Sequence, residues 1–219
     1  PSASTSRRTS TCTPTATGRI CGACPPGTTG SGDLRCVACT PNANVDLPDV
    51  TSAFVDANCD GVDGDASTLI FVATTGDDGT GSGTRAAPFK TISEAINAFV
   101  PGQHSAILVA QGSYIEQLVL KNGVKLYGGY RSDFALRDVV CFPTFVEAAE
   151  PTTGVKGTVN AEGLTSASVF AGFTVRGYDV ISRNAPGVLA NSSYAVFVSG
   201  SPGLLLANNH IVGGRGGDA

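Results

Sequence analysis

The chain has 219 residues, a formal net charge of −4, 15% charged residues and 42% hydrophobic residues. An acidic chain of this kind lacks the basic surface of a nucleic-acid-binding protein, and its hydrophobic content argues against wholesale disorder. No apolar run approaches the ~18 residues of a membrane span, and with two His and no Met the usual ligands of haem and soft metals are mostly missing.

Composition divides the chain into four segments. Residues 1–10 are rich in Ser and Thr without apolar periodicity, which predicts a disordered linker. Residues 11–45 carry five cysteines among Gly, Pro and Thr, and residues 46–66 are rich in Asp. Residues 67–219 contain recurrent apolar runs of β type, so we expect a small Cys-rich segment and an acidic loop ahead of a β-rich body.

The cysteines leave two explanations open. Two CxxC pairs, separated by 11 residues, could supply a four-thiolate zinc site, although this gap is short for such a site. Disulfide bonds account for more of the pattern, because a short segment rich in Gly and Pro cannot bury enough apolar area to fold without cross-links. The sequence predicts six disulfide-bonded cysteines, with Cys141 as the one free thiol: Cys12, Cys21, Cys24, Cys36, Cys39 and Cys59.

The run CGACPPGTTGSGDLRCVAC resembles an EGF-like module in the rhythm of its Cys and Gly residues. This resemblance implies an extracellular spacer or adhesion module without a catalytic role, and an extracellular or cell-surface location.

The acidic loop, DANCDGVDGD at residues 56–65, contains the first half of the calcium-loop pattern D-x-[DN]-x-[DN]-G. Alternate residues of a tight turn can aim several oxygens at one hard cation, and the run also resembles a short bacterial metal-binding motif, DxDCDGxxD. The alternative is a solvated acidic turn. The first interpretation predicts a structural Ca²⁺ held by side-chain oxygens and one backbone carbonyl: Asp56, Asn58, Asp60, Val62 (carbonyl), Asp63 and Asp65.

One helix is predicted, over residues 91–100. Its apolar residues Ile92, Ala95, Ile96 and Phe99 share one face, Thr91 with Glu94 suggests a capping box, and Pro-Gly follows. Short β-type runs recur around it, at residues 68–74, 106–110, 117–120, 123–127, 168–176, 194–199, 203–207 and 210–212. Aligning Gly172 with Asn209 gives an offset of 37 residues, which two turns of a shorter repeat would produce.

Short strands with no helices between them suggest a solenoid, a sandwich or a barrel, and a parallel β-helix explains most of the details. The stretches IFVATTGDDGTGSGTRAAPFKTISEAI and ILVAQGSYIEQLVLKNGVKLYGGY resemble the N-terminal coils of right-handed parallel β-helix proteins of the pectin-lyase-like class. The resemblance implies an all-β solenoid capped at its start by the helix, and we expect its coils to continue beyond residue 219. Many bacterial surface proteins of this kind have no assigned activity.

Enzymes of this class need a cluster of carboxylates and bases on one face, because glycoside hydrolysis uses paired acids. Apart from the pair Asp77-Asp78, which lies in the entry loop ahead of the coils, the acids of the β-rich body are scattered singly. Arg176 and His210 are also isolated in the sequence, so no catalytic residue is predicted. The sequence favours a secreted or cell-surface module for adhesion, contacting a polysaccharide or a cell-surface protein without catalysis. The alternative is the N-terminal part of a polysaccharide lyase or glycoside hydrolase.

Overall fold

The structure, a computed structural model, describes residues 28–29, 37–38, 41, 46–51, 54–150, 156–180 and 192–216. Fourteen strands and one short helix lie in these ranges. The strands are β1 (Thr28–Thr29), β2 (Val37–Ala38), β3 (Leu69–Val72), β4 (Ala106–Ala110), β5 (Gly112–Ile115), β6 (Leu118–Val119), β7 (Lys125–Tyr130), β8 (Thr144–Glu147), β9 (Gly157–Glu162), β10 (Ser168–Ala171), β11 (Phe173–Arg176), β12 (Tyr194–Ser199), β13 (Leu204–Ala207) and β14 (His210–Val212), and the helix is α1 (Ile92–Ala98).

Three all-parallel sheets form the body of the molecule. The first sheet has the order β13-β10-β7-β4-β3, the second β14-β11-β8-β5, and the third β12-β9-β6. Each coil contributes one strand to each sheet in turn, as β7, β8 and β9 do. This arrangement is a parallel β-solenoid, as the sequence predicted, and strands β1 and β2 form a separate antiparallel pair.

The register gives the length of the coil that leads from β11 to β14. In the second sheet Thr174 pairs with His210 and Val175 with Ile211, 36 residues apart. The predicted offset of 37 residues was therefore wrong by one for this sheet, and the offset spans one coil rather than two. A one-residue shift matters because it exchanges the side chains that point inward with those that point outward.

The core inside the coils is apolar. Leu126 and Phe170 from the first sheet, Val146 and Val175 from the second, and Val159 from the third are all fully buried in one cluster. Each stacks on a residue of similar character one coil away, because the parallel strands keep their register from coil to coil.

Helix α1 covers the first end of this core, as expected. It packs against β3, β4 and β6 and buries Ile92, Ala95 and Ile96. Its N-terminus differs from the predicted capping box. The Thr91 hydroxyl accepts the Glu94 N–H at 3.2 Å, but the Thr91 N–H donates to Asp78 rather than to Glu94.

The acidic segment, which comprises the described residues 46–51 and 54–66, packs against the solenoid. Val62 is fully buried, in a second cluster that contains the outward side chains Phe71 and Leu108 of the first sheet. Phe134, from the loop between β7 and β8, completes this cluster with an edge-to-face contact to Phe71 at 4.9 Å. The outer face of the first sheet is therefore a second core.

Three strands of the solenoid were not predicted: β5, β8 and β9. Each mixes polar or glycine residues with apolar ones, as GSYI, TFVE and GTVNAE show, so no continuous apolar run marked them. Within the described residues, no helix has the length and hydropathy that crossing a membrane requires.

Candidate functional site

The predicted calcium residues form a tight turn held by its own carboxylates. Asp56 accepts the N–H groups of Asp60 and Gly61 through its two oxygens, each at 3.0 Å. Asp60 accepts the N–H groups of Val62 at 3.1 Å and Ala66 at 2.8 Å, and Asn58 accepts the N–H of Asp60 at 2.9 Å. This hydrogen bonding is what the alternative of an acidic turn would give, since Asp and Asn bond to nearby backbone in turns.

Asp63 lies apart from this turn. It is 1% exposed, and the Tyr130 hydroxyl donates to its Oδ2 at 3.1 Å. Burial raises the pKa of the Asp63 carboxyl to about 7, although Tyr130 and Arg137 favour its ionised form. Burial also raises the pKa of Asp46 and of Asp56.

Asp65 completes the predicted ligand set and faces outward. It bonds to the hydroxyl and N–H of Ser67, at 2.6 and 2.9 Å, and these bonds lower its pKa. Among the described residues, no group of three or more His, Cys, Asp or Glu side chains surrounds a common point in a way that could hold a metal ion. The calcium site stays a prediction.

The cysteine pattern is only partly visible. Cys12, Cys21, Cys24, Cys36 and Cys39 lie outside the described residues, so the choice between disulfides and zinc is not tested for them. Cys141, expected to be a free thiol, is disulfide-bonded, as is Cys59. The expectation of one free thiol at Cys141 was therefore wrong.

A groove runs across the outer face of the second sheet. It encloses about 440 Å³, which is within the range of small-molecule sites. Its floor is a column of outward side chains from three coils, since Phe145, Thr174 and His210 are paired in register along β8, β11 and β14. Its wall comes from the loop between β7 and β8, through Val139, Val140 and Pro143, with Gly172, Phe173, Arg176, Asn208 and Val212 around the rest.

Two tight corners shape this groove. Gly172 joins β10 to β11 with φ +84°, and a Cβ there would lie 2.7 Å from the carbonyl oxygen of Gly128 one coil below. Asn208 makes the corresponding corner of the next coil with φ +50°, a left-handed geometry that Asn tolerates better than most residues. Asn209 then binds across coils, accepting the Phe173 N–H at 3.0 Å and donating to the Phe170 carbonyl at 2.8 Å.

The charged pair at the groove is Arg176 with Glu147. These residues are paired in register on β11 and β8, and Arg176 Nη1 lies 3.0 Å from Glu147 Oε1. The Arg176 guanidinium also lies over the Phe145 ring, 5.1 Å from its centroid. Their side chains are 54% and 31% exposed, so solvent and salt screen the pair.

Sequence reasoning missed this arrangement for an identifiable reason. Arg176 and His210 were noticed singly, but Phe145 and Glu147 lie on a strand that was not predicted. The alternation of TFVE and FTVR was the available signal, because alternating strands of a solenoid bury one face and expose the other.

The other acidic features have structural roles. Asp77 and Asp78, the one adjacent acid pair in the loop before the helix, accept backbone N–H groups at Gly79, Thr80, Lys90 and Thr91. Glu116 accepts the N–H groups of Ile92 and Ser93 at 2.8 and 2.9 Å and so caps α1.

Comparisons with known proteins bear on the solenoid. No curated protein and no solved structure matches the chain. The model of the family described as "Protein of unknown function (DUF1565)" matches residues 74–218, a range that contains strands β4 to β14. The chain therefore belongs to that family.

Proposed function

We propose that this protein is a non-catalytic contact module, secreted or displayed at a cell surface, which binds a glycan or a protein. The observation that carries the proposal is the groove over the second sheet. It combines one cation, a hydroxyl, an imidazole and apolar walls on strands fixed by the neighbouring coils. A solenoid offers such surfaces because every coil repeats its outward positions.

The side chains at the groove support binding rather than hydrolysis. Glycoside hydrolysis needs one carboxyl group to protonate the leaving oxygen and a second to activate water or attack the sugar. The groove's lining residues include no Asp or Glu, and the acid beside it, Glu147, already accepts a hydrogen bond from Arg176.

Further parts of the proposal rest on the sequence. The motif around the helix supports a right-handed solenoid of the pectin-lyase-like kind, and the Cys-rich segment supports an extracellular location. We also propose a structural Ca²⁺ in the acidic loop, because a bound cation would offset the cost of ionising the buried Asp63 carboxyl, which Arg137 offsets only in part.

A second candidate function is the N-terminal part of a polysaccharide lyase or glycoside hydrolase. One observation favours it: Arg176, a possible base, is exposed in a groove and lies beside an acid. Turnover of pectate, alginate or glucuronan, followed by the absorbance of unsaturated products and by new reducing ends with Ca²⁺ present, would decide between the two functions. Turnover that is lost in Arg176→Gln would overturn the contact-module proposal.

Binding tests the proposal directly. The intact protein is passed over immobilised uronate polysaccharides, neutral polysaccharides and purified envelope proteins, and binding is measured by biolayer interferometry. Thr174→Trp fills the groove floor, whereas Val119→Trp places the same side chain on the outer face of the third sheet, where Val119 is 54% exposed. We expect Thr174→Trp to abolish binding and Val119→Trp to leave it unchanged; equal binding by both variants would contradict the proposal.

A further inference from the structure

The walls of the groove are aliphatic rather than aromatic. Val140 is 78% exposed and Val212 39%, while Phe173 is 1% exposed and cannot serve as a stacking platform. The ring of Phe145 is already contacted by the Arg176 guanidinium. A sugar in this groove would pair some of its hydroxyl groups with Thr174, Arg176 and His210, but those lying against Val140 and Val212 would be left unpaired, at about 1–3 kcal/mol for each unpaired group. The lining therefore favours a ligand with apolar side chains.

Arg176 adds a requirement for negative charge. Its Nη1 donates to Glu147, and among the described residues neither Nε nor Nη2 has an acceptor within hydrogen-bond distance. A guanidinium carries five N–H donors in a plane, and this fork matches the two oxygens of a carboxylate. Contact with the Phe145 ring restrains the guanidinium, which lowers the entropy lost when it binds a ligand.

We propose that the groove binds an extended peptide segment of a partner protein that has an apolar side chain next to a carboxylate. The apolar side chain lies between Val140 and Val212, and the carboxylate pairs with Arg176 in competition with Glu147. The Thr174 hydroxyl and the His210 imidazole lie along the same column and bond to the peptide backbone. This inference rests on the proposed function and specifies the kind of partner that the contact module binds.

The test uses labelled hexapeptides in which Leu alternates with Glu, and matched peptides with Gln in place of Glu. Fluorescence anisotropy with the full chain is expected to show at least tenfold tighter binding of the Glu peptides, since hydrogen bonds to charged groups contribute about 1.5–3 kcal/mol. Arg176→Gln should remove this preference. Glu147→Gln should strengthen binding of the Glu peptides several-fold, because it removes the competing carboxylate, and Lys90→Gln, an exposed cation in the loop before the helix, serves as the charge-matched control.

Three results would overturn the inference. They are equal affinity for Glu and Gln peptides, no loss of affinity in Arg176→Gln, and no peptide binding at millimolar concentration. Trigalacturonate and its carboxyl-reduced counterpart are run beside the peptides. Tighter binding of trigalacturonate than of any peptide, lost in Thr174→Trp, would also overturn the peptide assignment while leaving the contact module in place, whereas turnover dependent on Arg176 would remove both.

Discussion

The outer faces of the first and second sheets differ although the two sheets belong to the same coils. In the first sheet, β3 and β4 are buried on both faces, and the outer side is covered by the acidic segment and by the loop after β7. In the second sheet, β8 and β11 alternate between buried and accessible residues, and the outer side is the groove. One solenoid thus builds a second core on one side and leaves a binding surface on another.

The difference can be traced to sequence pattern. LIFV and AILVA are continuous apolar runs, which a strand tolerates only when both of its faces are covered. TFVE and FTVR place polar or charged side chains at alternate positions, which water can solvate. Stability is therefore concentrated at the covered face, and the open face can carry charges such as Arg176 at little cost.

The largest expected effect is at the covered face. Phe71→Ala should lower the free energy of unfolding by about 4 kcal/mol, because Phe71 is fully buried on the outer side of the sheet and would leave a cavity. Phe145→Ala, on the groove floor of the second sheet, should cost about 1 kcal/mol. Urea denaturation of both variants measures the difference. Equal losses of unfolding free energy would mean that the two outer faces contribute equally to stability.

The next largest effect is the pH dependence of stability that arises from Asp63 at the covered face. The pKa of Asp63 is about 7 in the folded protein and 3.8 in the unfolded chain, so the folded state binds this proton more tightly. Its contribution to stability is full below pH 3.8 and is lost as the pH rises through 7. The free energy of unfolding should fall by about 3 kcal/mol between pH 4 and pH 7 in EDTA, and Asp63→Asn should remove that fall.

Calcium should change this pH dependence, because a bound cation favours the ionised form of the Asp63 carboxyl. With millimolar CaCl2 in place of EDTA, a calcium ion bound by the acidic loop with Asp63 among its ligands should raise the melting temperature at pH 7 and flatten the pH dependence of stability. No melting shift at millimolar calcium would contradict the proposed site and would leave the acidic segment held by packing and by the hydrogen bonds that Tyr130, Arg137 and Asn208 donate to it.

A smaller effect is expected at the corner between the sheets. Gly172→Ala should cost about 2 kcal/mol or more, because φ is +84° and the new Cβ would lie 2.7 Å from the Gly128 carbonyl oxygen. Gly163→Ala is the matched control, with φ +67° and no atom within 4 Å of the new Cβ, and should cost about 1 kcal/mol. Thermal unfolding of the two variants separates steric contact from backbone strain, and equal costs would show that the coils can move apart at this corner.

Sequence reasoning recovered the solenoid because its clearest elements are local. Strands β4 and β12 and the apolar face of α1 were predicted at or near their observed bounds, since periodicity and continuous apolar runs need only neighbouring residues. The covering of the first sheet was missed, because Val62 and Phe71 meet only after the chain has folded back. A run such as LIFV indicates that both faces of the strand are covered, but nothing in it identifies the residues that cover the outer face.

The groove could not be assembled from the sequence for the same reason. Arg176 and Glu147 are 29 residues apart and become neighbours only through the register of β11 on β8. An error of one residue in the coil offset, as in the alignment of Gly172 with Asn209, would have pointed Arg176 and His210 to opposite faces. The type of residue was visible in the sequence, whereas its partner depended on register.

The smallest expected effect is at the open face, where the Arg176–Glu147 pair should contribute little to stability. Both side chains are partly exposed and a single nitrogen–oxygen contact joins them at 3.0 Å, so a double-mutant cycle with Arg176→Gln and Glu147→Gln should give a coupling of about 0.5 kcal/mol. Raising the salt concentration from 0.05 to about 0.5 M should reduce it further, because screening acts on exposed charges. A coupling above about 2 kcal/mol would place the pair in a dry environment, and the open face would then contribute to folding as the covered face does. A weak pair is also what the peptide proposal needs, because a ligand carboxylate can take Arg176 from Glu147 only if that contact is easily given up.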